Sequence, residues 1–211
     1  MPTAEYLTIL DDCQAEITEK KSRFIANVHH VESEDEAAVY IASVKKACWD
    51  ARHNCHAYVI GTGLPLERAN DDGEPSRTAG LPILESIKVA GLTNVCIVVT
   101  RYFGGILLGA GPLARAYREA ASLCIDNAAK VRMRPLQKYL FTTDYDTYGK
   151  LKREADRLAL KVTDTVFTDK VSLYLALAPD EVTYISDFYR ELTRGSQSPE
   201  DLGQVWVEEY I

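Results

Sequence analysis

The sequence VCIVVTRYFGGILLGAGPLARAYREAA, residues 95–121, decides the fold of this chain. Its apolar start predicts a buried strand over residues 95–99, and the letters RYFGG that follow predict a turn. Gly111 near the N-cap and Pro112 near the first helical position then predict a helix, because proline needs no backbone partner there. Apolar residues at helical spacing predict the core-facing stripe of this helix, namely Leu113, Ala116, Tyr117, Ala120 and Cys124.

The turn consists of Arg101, Tyr102, Phe103, Gly104 and Gly105. A flexible glycine turn that leads into a helix N-terminus offers free backbone N–H groups and the positive end of a helix dipole, which suit an anion. Arg101 would add a fixed positive charge at the mouth of the turn. In the alternative interpretation, the glycines serve only the backbone angles of a tight turn. The local sequence leaves both interpretations open.

The composition is that of an ordinary globular protein. The chain has 211 residues, of which 46% are hydrophobic and 26% are charged, so it suits one large domain or two small ones. No apolar run approaches the length of a membrane span, and the acidic N-terminus does not resemble a signal peptide. The five cysteines form no CxxC pair, which favours buried thiols in a reducing setting. We therefore expect a cytoplasmic protein that does not contact a membrane.

The net charge of −7 limits how the chain could bind nucleic acid. Residues 1–135 hold 15 basic and 17 acidic residues, and residues 136–211 hold 9 and 14. A chain this acidic has no diffuse positive field, so any contact with phosphates must come from a local patch. The candidates for that patch are Lys20, Lys21, Arg23, Arg101, Arg115, Arg118, Lys130, Arg132 and Arg134.

The first part of the chain alternates strands and helices. Residues 6–31 predict two or three strands, and the capping box at residues 33–36 predicts the start of a helix. Residues 53–61 predict another strand, and residues 62–76 predict a long loop. A second helix is expected to start at or near Thr78.

The second part of the chain has a different pattern. Residues 128–136, AAKVRMRPL, predict a basic connection, so we place one domain at residues 1–134 and another at residues 135–211. The elements that follow read strand, helix, hairpin, helix and strand. That βαββαβ order predicts a ferredoxin-like domain, and the whole chain is predicted to be an α+β protein of two domains.

Histidines and acids mark the segment before the second helix. A closed zinc site needs four ligands, and in a strand His53 and Cys55 would point to one face while His56 points to the other. We therefore expect no metal here, and interpret the histidine as an anchor for the neighbouring loop.

The acids of DDGEPSRTAG allow two interpretations. Asp71, Asp72 and Glu74 could bind Mg²⁺ or take part in acid–base chemistry. Alternatively, they form an Asp-Gly turn followed by a helix cap from Ser76 or Thr78. Ion or partner binding stays open. The spacings of known phosphate loops, hydrolases and metalloproteases are missing from the sequence, so enzyme activity is not supported and no cofactor is expected.

Three motifs together resemble the IMPACT/YigZ family. They are HNCHAY at residues 53–58, DDGEPSRTAGLPIL at residues 71–84 and VVTRYFGGILLGAGPLARAY at residues 98–117. Two positions depart from the family pattern. Arg77 stands where a small residue is usual after EPS or EPA, and Pro112 replaces the second glycine of the usual GxGGL.

This resemblance implies both a fold and a role. It implies a first domain like domain IV of elongation factor G and of the type found in GHMP kinases. It also implies a ferredoxin-like second domain similar to domain V of that factor. The eukaryotic IMPACT proteins regulate translation by competing for the activator of a starvation-sensing kinase. The family therefore implies a role in translation without supplying a catalytic mechanism.

Our first hypothesis is a cytoplasmic, non-enzymatic regulator of translation that binds RNA, the ribosome or a translation factor. Arg101 would contact phosphate, and Tyr102 or Phe103 would be available for base stacking. The residues assigned to this surface are Arg101, Tyr102, Phe103, Gly104, Gly105, Arg115, Arg118, Lys20 and Arg23, and the motif loop contributes His53, His56, Asp71, Asp72, Glu74, Ser76 and Thr78.

Two alternatives come from other classes of protein. One is an enzyme or small-ligand binder that holds a phosphorylated metabolite or nucleotide, with Mg²⁺, between the acidic loop and the Arg-Gly-Gly turn. The other is a pure protein-binding module, for which the acidic second domain would suit a basic partner. The sequence does not predict an oligomeric state.

Overall fold

A computed structural model describes residues 5–211 and divides them into two compact units. The first unit runs to Met133 and includes Glu209–Ile211, and the second comprises Arg134–Glu208. The helices among the described residues lack the length and hydropathy that a membrane crossing requires.

Residues 5–127, the described part of the first unit up to Asn127, form six strands and three helices. In chain order they are β1 (Tyr6–Ile9), β2 (Cys13–Glu19), β3 (Ser22–His30), α1 (Glu34–Ala47), β4 (His53–Ile60), β5 (Leu66–Asn70), α2 (Gly80–Val89), β6 (Val95–Tyr102) and α3 (Ala110–Asn127). Five of the strands form an antiparallel sheet in the order β2-β3-β6-β4-β5. Strand β6 therefore lies at the centre of this sheet.

The strand β6 is apolar along its length because both of its faces are covered. Ile97 and Val99 join the main core with residues of α2 and α3, and Cys96 and Val98 join a second core with residues of α1. A strand buried on both faces reads as a continuous apolar run rather than as an alternating one. The predicted stripe of α3 is confirmed, since all five of its residues are buried.

Three sequence predictions in this unit were wrong in detail. The strand β6 continues to Tyr102, so Arg101 and Tyr102 are strand residues paired with β3 and not part of the turn. Helix α3 begins at Ala110 with Gly109 as its N-cap, two residues earlier than Gly111 and Pro112 suggested. The predicted loop at residues 62–76 contains the edge strand β5, whose polar sequence LERAN shows no apolar alternation.

The second unit has the ferredoxin-like arrangement that the sequence predicted. Its elements are β7 (Lys130–Thr143), α4 (Tyr145–Arg157), β8 (Lys161–Phe167), β9 (Val171–Leu177), α5 (Pro179–Leu192) and β10 (Glu200–Tyr210). The strand order is β10-β7-β9-β8. Phe141, Leu151, Leu173 and Tyr189 are among the residues of its core.

The basic connection predicted at residues 128–136 lies largely within one strand. The first four residues of β7 pair with β1, and its residues 137–143 pair with β9. A composition rich in basic residues therefore did not mark a linker, because alternate side chains of a strand can remain exposed to water.

Gly104 lies where two chain segments meet closely. Lys20 and Lys21 form the two-residue turn between β2 and β3, with φ of 45° and 67°, as expected for a tight hairpin. A Cβ on Gly104 would lie 2.0 Å from the carbonyl carbon of Lys21. The N–H of Gly104 also donates to the hydroxyl of Ser22 over 3.1 Å. The loop after β6 is therefore anchored on this hairpin.

We predict that Gly104→Ala lowers the free energy of unfolding of the first unit by about 1–3 kcal/mol, because the added methyl group must displace backbone. The control is Gly111→Ala, where a Cβ would meet only a side-chain nitrogen of Arg115 at 3.8 Å. Urea titration should show a loss for the first variant alone. Equal stability of the two variants would contradict the close approach.

Candidate functional site

A buried ion pair between Arg101 and Glu74 forms the centre of the candidate site. The Nη1 atom of Arg101 lies 2.8 and 3.1 Å from the two carboxylate oxygens of Glu74. Only 8% of the Arg101 side chain and 4% of the Glu74 side chain are exposed. The hydroxyl of Tyr117 donates to the same carboxylate over 2.7 Å. The pair thus joins β6, the acidic loop and α3.

Aromatic rings enclose the guanidinium group of Arg101. Its central carbon lies 5.5 Å from the ring centroids of both Phe24 and Phe103. Such contacts stabilise a cation that has lost its water. The Nε atom of Arg101 is buried and has no hydrogen-bond partner among residues 5–211. The sequence predicted this arginine as a charge at the mouth of the turn, and the structure instead buries it.

A cavity of about 410 Å³ lies next to this ion pair. Pro75, Phe103, Leu107, Leu108 and Leu113 supply its apolar wall. Its polar residues are Arg52, His53, Glu74 and Arg101, and Gly109 and Ala110 bring the N-terminus of α3 to it. An apolar cavity with a few converging polar groups is the usual form of a small-ligand site.

The side chain of Asp71 caps helix α2. Its carboxylate accepts hydrogen bonds from the backbone N–H groups of Ala79 at 3.0 Å, Gly80 at 2.8 Å and Arg77 at 2.8 Å. Burial, the largest single influence, acts to raise the pKa of Asp71, but these three hydrogen bonds together lower it below the ordinary 3.8. The carboxylate is therefore bound to backbone and not presented to an ion.

Asp72 ties the acidic loop to α1 and β4. Its two oxygens accept from Lys45 Nζ at 2.6 Å and from the backbone N–H of Asn54 at 2.7 Å. Burial acts to raise the pKa of Asp72, but these two hydrogen bonds lower it below its ordinary value. The Nδ1 atom of His53 lies 2.8 Å from the carbonyl oxygen of Asp72, so the predicted loop anchor is present and only Nε2 remains for a ligand.

The acids and histidines do not gather around one point. Asp71, Asp72 and Glu74 each have a different partner, and no group of three His, Cys, Asp or Glu suited to a metal occurs in the described part of the chain. Burial lowers the pKa of His56, whose Nδ1 contacts the carbonyl of Asn54.

Cys55 does not have the properties of a nucleophile. Its thiol is buried and contacts the carbonyl of Asp71 at 3.0 Å and the hydroxyl of Tyr117 at 3.3 Å. Burial raises the pKa of this thiol to about 12. It therefore stays protonated at neutral pH, and only a thiolate attacks efficiently.

Neither Ser76 nor Thr78 caps α2, which corrects the sequence prediction. The Thr78 hydroxyl donates to the carbonyl of Pro75 over 2.6 Å, and Ser76 is exposed. Asp71, which lies outside the helix, caps α2 instead. Arg77 has φ of 65°, in the left-handed region that glycine adopts without strain.

The predicted basic patch is partly neutralised. Arg23 pairs with Glu16 over 2.7 Å and lies above the ring of Tyr102, while Arg118 pairs with Glu85. Tyr102 is half-buried, and its hydroxyl donates to Asp50 over 2.9 Å. Three further side chains of the predicted surface are exposed, namely those of Lys20, Arg115 and Phe103.

Comparison with known proteins is consistent with this architecture. The model of the Impact N-terminal domain matches residues 20–125, and that of a domain of unknown function (DUF1949) matches residues 141–196. IMPACT family member YvyE of Bacillus subtilis is 36% identical over 206 residues, which cover 98% of this chain and 95% of the relative. Protein IMPACT of Mus musculus is 35% identical over 98 residues, 44% of this chain and 30% of that protein.

A solved structure described as a hypothetical protein matches with a TM-score of 0.63 and 30% identity, covering 96% of this chain and 98% of its own. The molecule is thus a two-domain α+β protein in which an Impact N-terminal domain precedes a small ferredoxin-like domain. The chain belongs to the IMPACT family, which confirms the resemblance.

We predict that Glu74→Gln destabilises the first unit by about 3–5 kcal/mol, because it leaves the buried charge of Arg101 without its counter-charge. The control is Glu67→Gln, which removes an exposed pair with Lys88 and should cost about 1 kcal/mol or less. Urea titration measures both. Similar losses for the two variants would contradict a structural role for the buried pair.

We predict a pH effect from Asp71, whose pKa is lowered by folding. Such a carboxylate contributes stability above its unfolded pKa, near 3.9, and loses that contribution as the pH falls through its folded pKa. Asp71→Asn should therefore have a lower free energy of unfolding at neutral pH, and that free energy should fall less than in the unaltered protein as the pH is lowered below about 4.

Urea titrations across this pH range make the measurement. Asp11→Asn, which alters an exposed carboxylate of the same unit, serves as the control and should keep the pH dependence of the unaltered protein. Equal pH dependence in Asp71→Asn and the unaltered protein would contradict the assignment.

Proposed function

We propose that this protein is a cytoplasmic, non-enzymatic regulator of translation that acts by binding a protein of the translation machinery through its Impact N-terminal domain. Membership of the IMPACT family supports the role in translation, as the sequence resemblance implied. The match to mouse Protein IMPACT covers 98 residues, against 206 residues for the bacterial relative.

One observation carries the choice of a protein partner. The loop between β6 and α3 exposes Phe103, Ile106 and Leu107, whose exposed fractions are 49%, 42% and 85%. Apolar side chains grouped on a surface favour contact with another protein. Gly104 fixes this loop on the β2–β3 hairpin, so little conformational entropy would be lost on binding.

The charged side chains of the Impact N-terminal domain favour RNA less than they favour a protein as the partner. The guanidinium of Arg101 is buried, and those of Arg23 and Arg118 already have carboxylate partners. Binding to nucleic acid depends on basic side chains that are free to neutralise phosphates. Lys20 and Lys21 are exposed on the hairpin turn, so RNA contact there is the main competing outcome.

The side-chain chemistry supports a non-enzymatic role. The Cys55 thiol has a pKa of about 12, and the pKa of His56 is lowered by burial. A covalent mechanism needs a nucleophile in contact with a base that can activate it. The hydrogen-bond partners of Cys55 are instead a carbonyl oxygen and a tyrosine hydroxyl.

Translation in a cell-free system tests this proposal. The purified chain should change the rate of protein synthesis, and Leu107→Asp should abolish that change because it places a charge on the apolar loop. Val89→Asp is the matched control, since Val89 on α2 is 89% exposed and receives the same substitution. Equal effects of the two variants would contradict the assignment of the loop.

Ribosome co-sedimentation across a salt series separates a protein partner from RNA. Binding to a protein through apolar side chains should persist as salt rises and should be lost in Leu107→Asp. Binding that falls steeply with salt and is lost in a Lys20→Ala/Lys21→Ala variant would indicate phosphate contacts. That result would overturn the protein-binding part of the proposal.

A further inference from the structure

We propose that the cavity beside Arg101 and Glu74 binds a small organic monoanion, namely a carboxylate attached to an apolar group. This inference does not rest on the proposed role in translation, because it is argued from the charges and the lining of the cavity, although Phe103 and Leu107 of the exposed loop belong to that lining. The cavity has a volume of about 410 Å³, within the range of about 300–1,000 Å³ that is typical of small-ligand sites.

The first observation that favours an anionic ligand is the buried Nε atom of Arg101, which has no hydrogen-bond partner among the described residues. Buried donors in folded proteins nearly always have acceptors, and a charged donor without one is costly. The Arg101 side chain is 92% buried in the cavity wall and donates only through Nη1, to Glu74. The half-exposed ring of Phe103 lies 5.5 Å from the guanidinium carbon and lines the cavity together with Arg101, and the proposal requires this ring to move so that a carboxylate oxygen reaches Nε.

The second observation that favours an anionic ligand is the position of the N-terminus of α3 at the cavity. This helix of 18 residues begins at the cavity with Gly109 and Ala110, and its N-cap has no side-chain hydrogen bond. The N–H groups of Ala110 and Gly111 are therefore available, and the helix dipole places partial positive charge there. Pro112 has no N–H to add.

The charges favour a monoanion over a phosphate ester. Arg101 and Glu74 balance each other, so Arg52 is the one whole positive charge that remains on the cavity wall, with the helix terminus beside it. A dianionic phosphate would leave negative charge uncompensated against the apolar wall. That wall, formed by Phe103, Leu107 and Leu113, instead suits an aliphatic or aromatic group.

Such a carboxylate could be a free metabolite or the C-terminus of a peptide. Isothermal titration calorimetry of the full chain uses hydrocinnamate for the first source and N-acetyl-leucylphenylalanine for the second, each compared with its uncharged amide. Both acids should bind at least about tenfold more tightly than their amides, as expected for a carboxylate that gains charge-assisted hydrogen bonds. Binding of hydrocinnamate alone would identify a small-molecule site, and binding of both would identify C-terminal capture.

Two variants locate the anion without disturbing the buried pair. Arg52→Gln and Ala110→Pro should each lower the binding affinity of the two acids by about 2- to 5-fold. The first substitution removes one positive charge, and the second removes one helix N–H group. Proline fits at Ala110, the first helical position, and Gly109 before it has an extended ψ of 159°. Lys46→Gln removes an equal charge from an exposed site on α1 and is the control.

Three outcomes would overturn the proposal. They are no binding of either acid at millimolar concentration, equal affinity for acids and amides, and equal affinity in Arg52→Gln and the unaltered chain. Tighter binding of inorganic phosphate than of either acid would overturn the choice of a monoanion.

Discussion

The buried ion pair of Arg101 and Glu74 is the constraint on which the first domain depends. Moving two charges out of water costs several kcal/mol per ion, so the pair is tolerated only with good geometry and further hydrogen bonds. The Tyr117 hydroxyl and the rings of Phe24 and Phe103 supply those contacts. Separating the pair would leave both charges buried and uncompensated. The central strand, the acidic loop and helix α3 are therefore held together.

The position of Glu74 also determines where the other two carboxylates of the acidic loop lie. Asp71 lies where it can accept the first N–H groups of α2, and Asp72 lies where it can bind Lys45 and the backbone of β4. Three carboxylates within four residues thus serve three separate structural contacts. In the sequence this acidic loop resembles an ion site. In the structure its carboxylates bind other groups of the protein, and the loop forms part of the wall of an apolar cavity.

The sequence predicts what depends on local pattern and misses what depends on distant partners. Helical spacing identified the buried stripe of α3, and the order of elements identified the ferredoxin-like domain. The strand β5 was missed because it is a polar edge strand. The burial of Arg101 was missed because arginine is mostly exposed and its partner Glu74 lies 27 residues away. Asp71 was missed as a cap because it precedes α2 by nine residues.

The two departures from the family pattern differ in their physical consequence. Arg77 occupies a left-handed conformation that costs about 1 kcal/mol or more for a residue with a side chain, and the bond from its N–H to Asp71 helps to hold it there. Pro112 causes no strain in the first turn of α3, but it removes an N–H group that the family's glycine would present. This helix terminus therefore offers fewer donors than the usual GxGGL sequence.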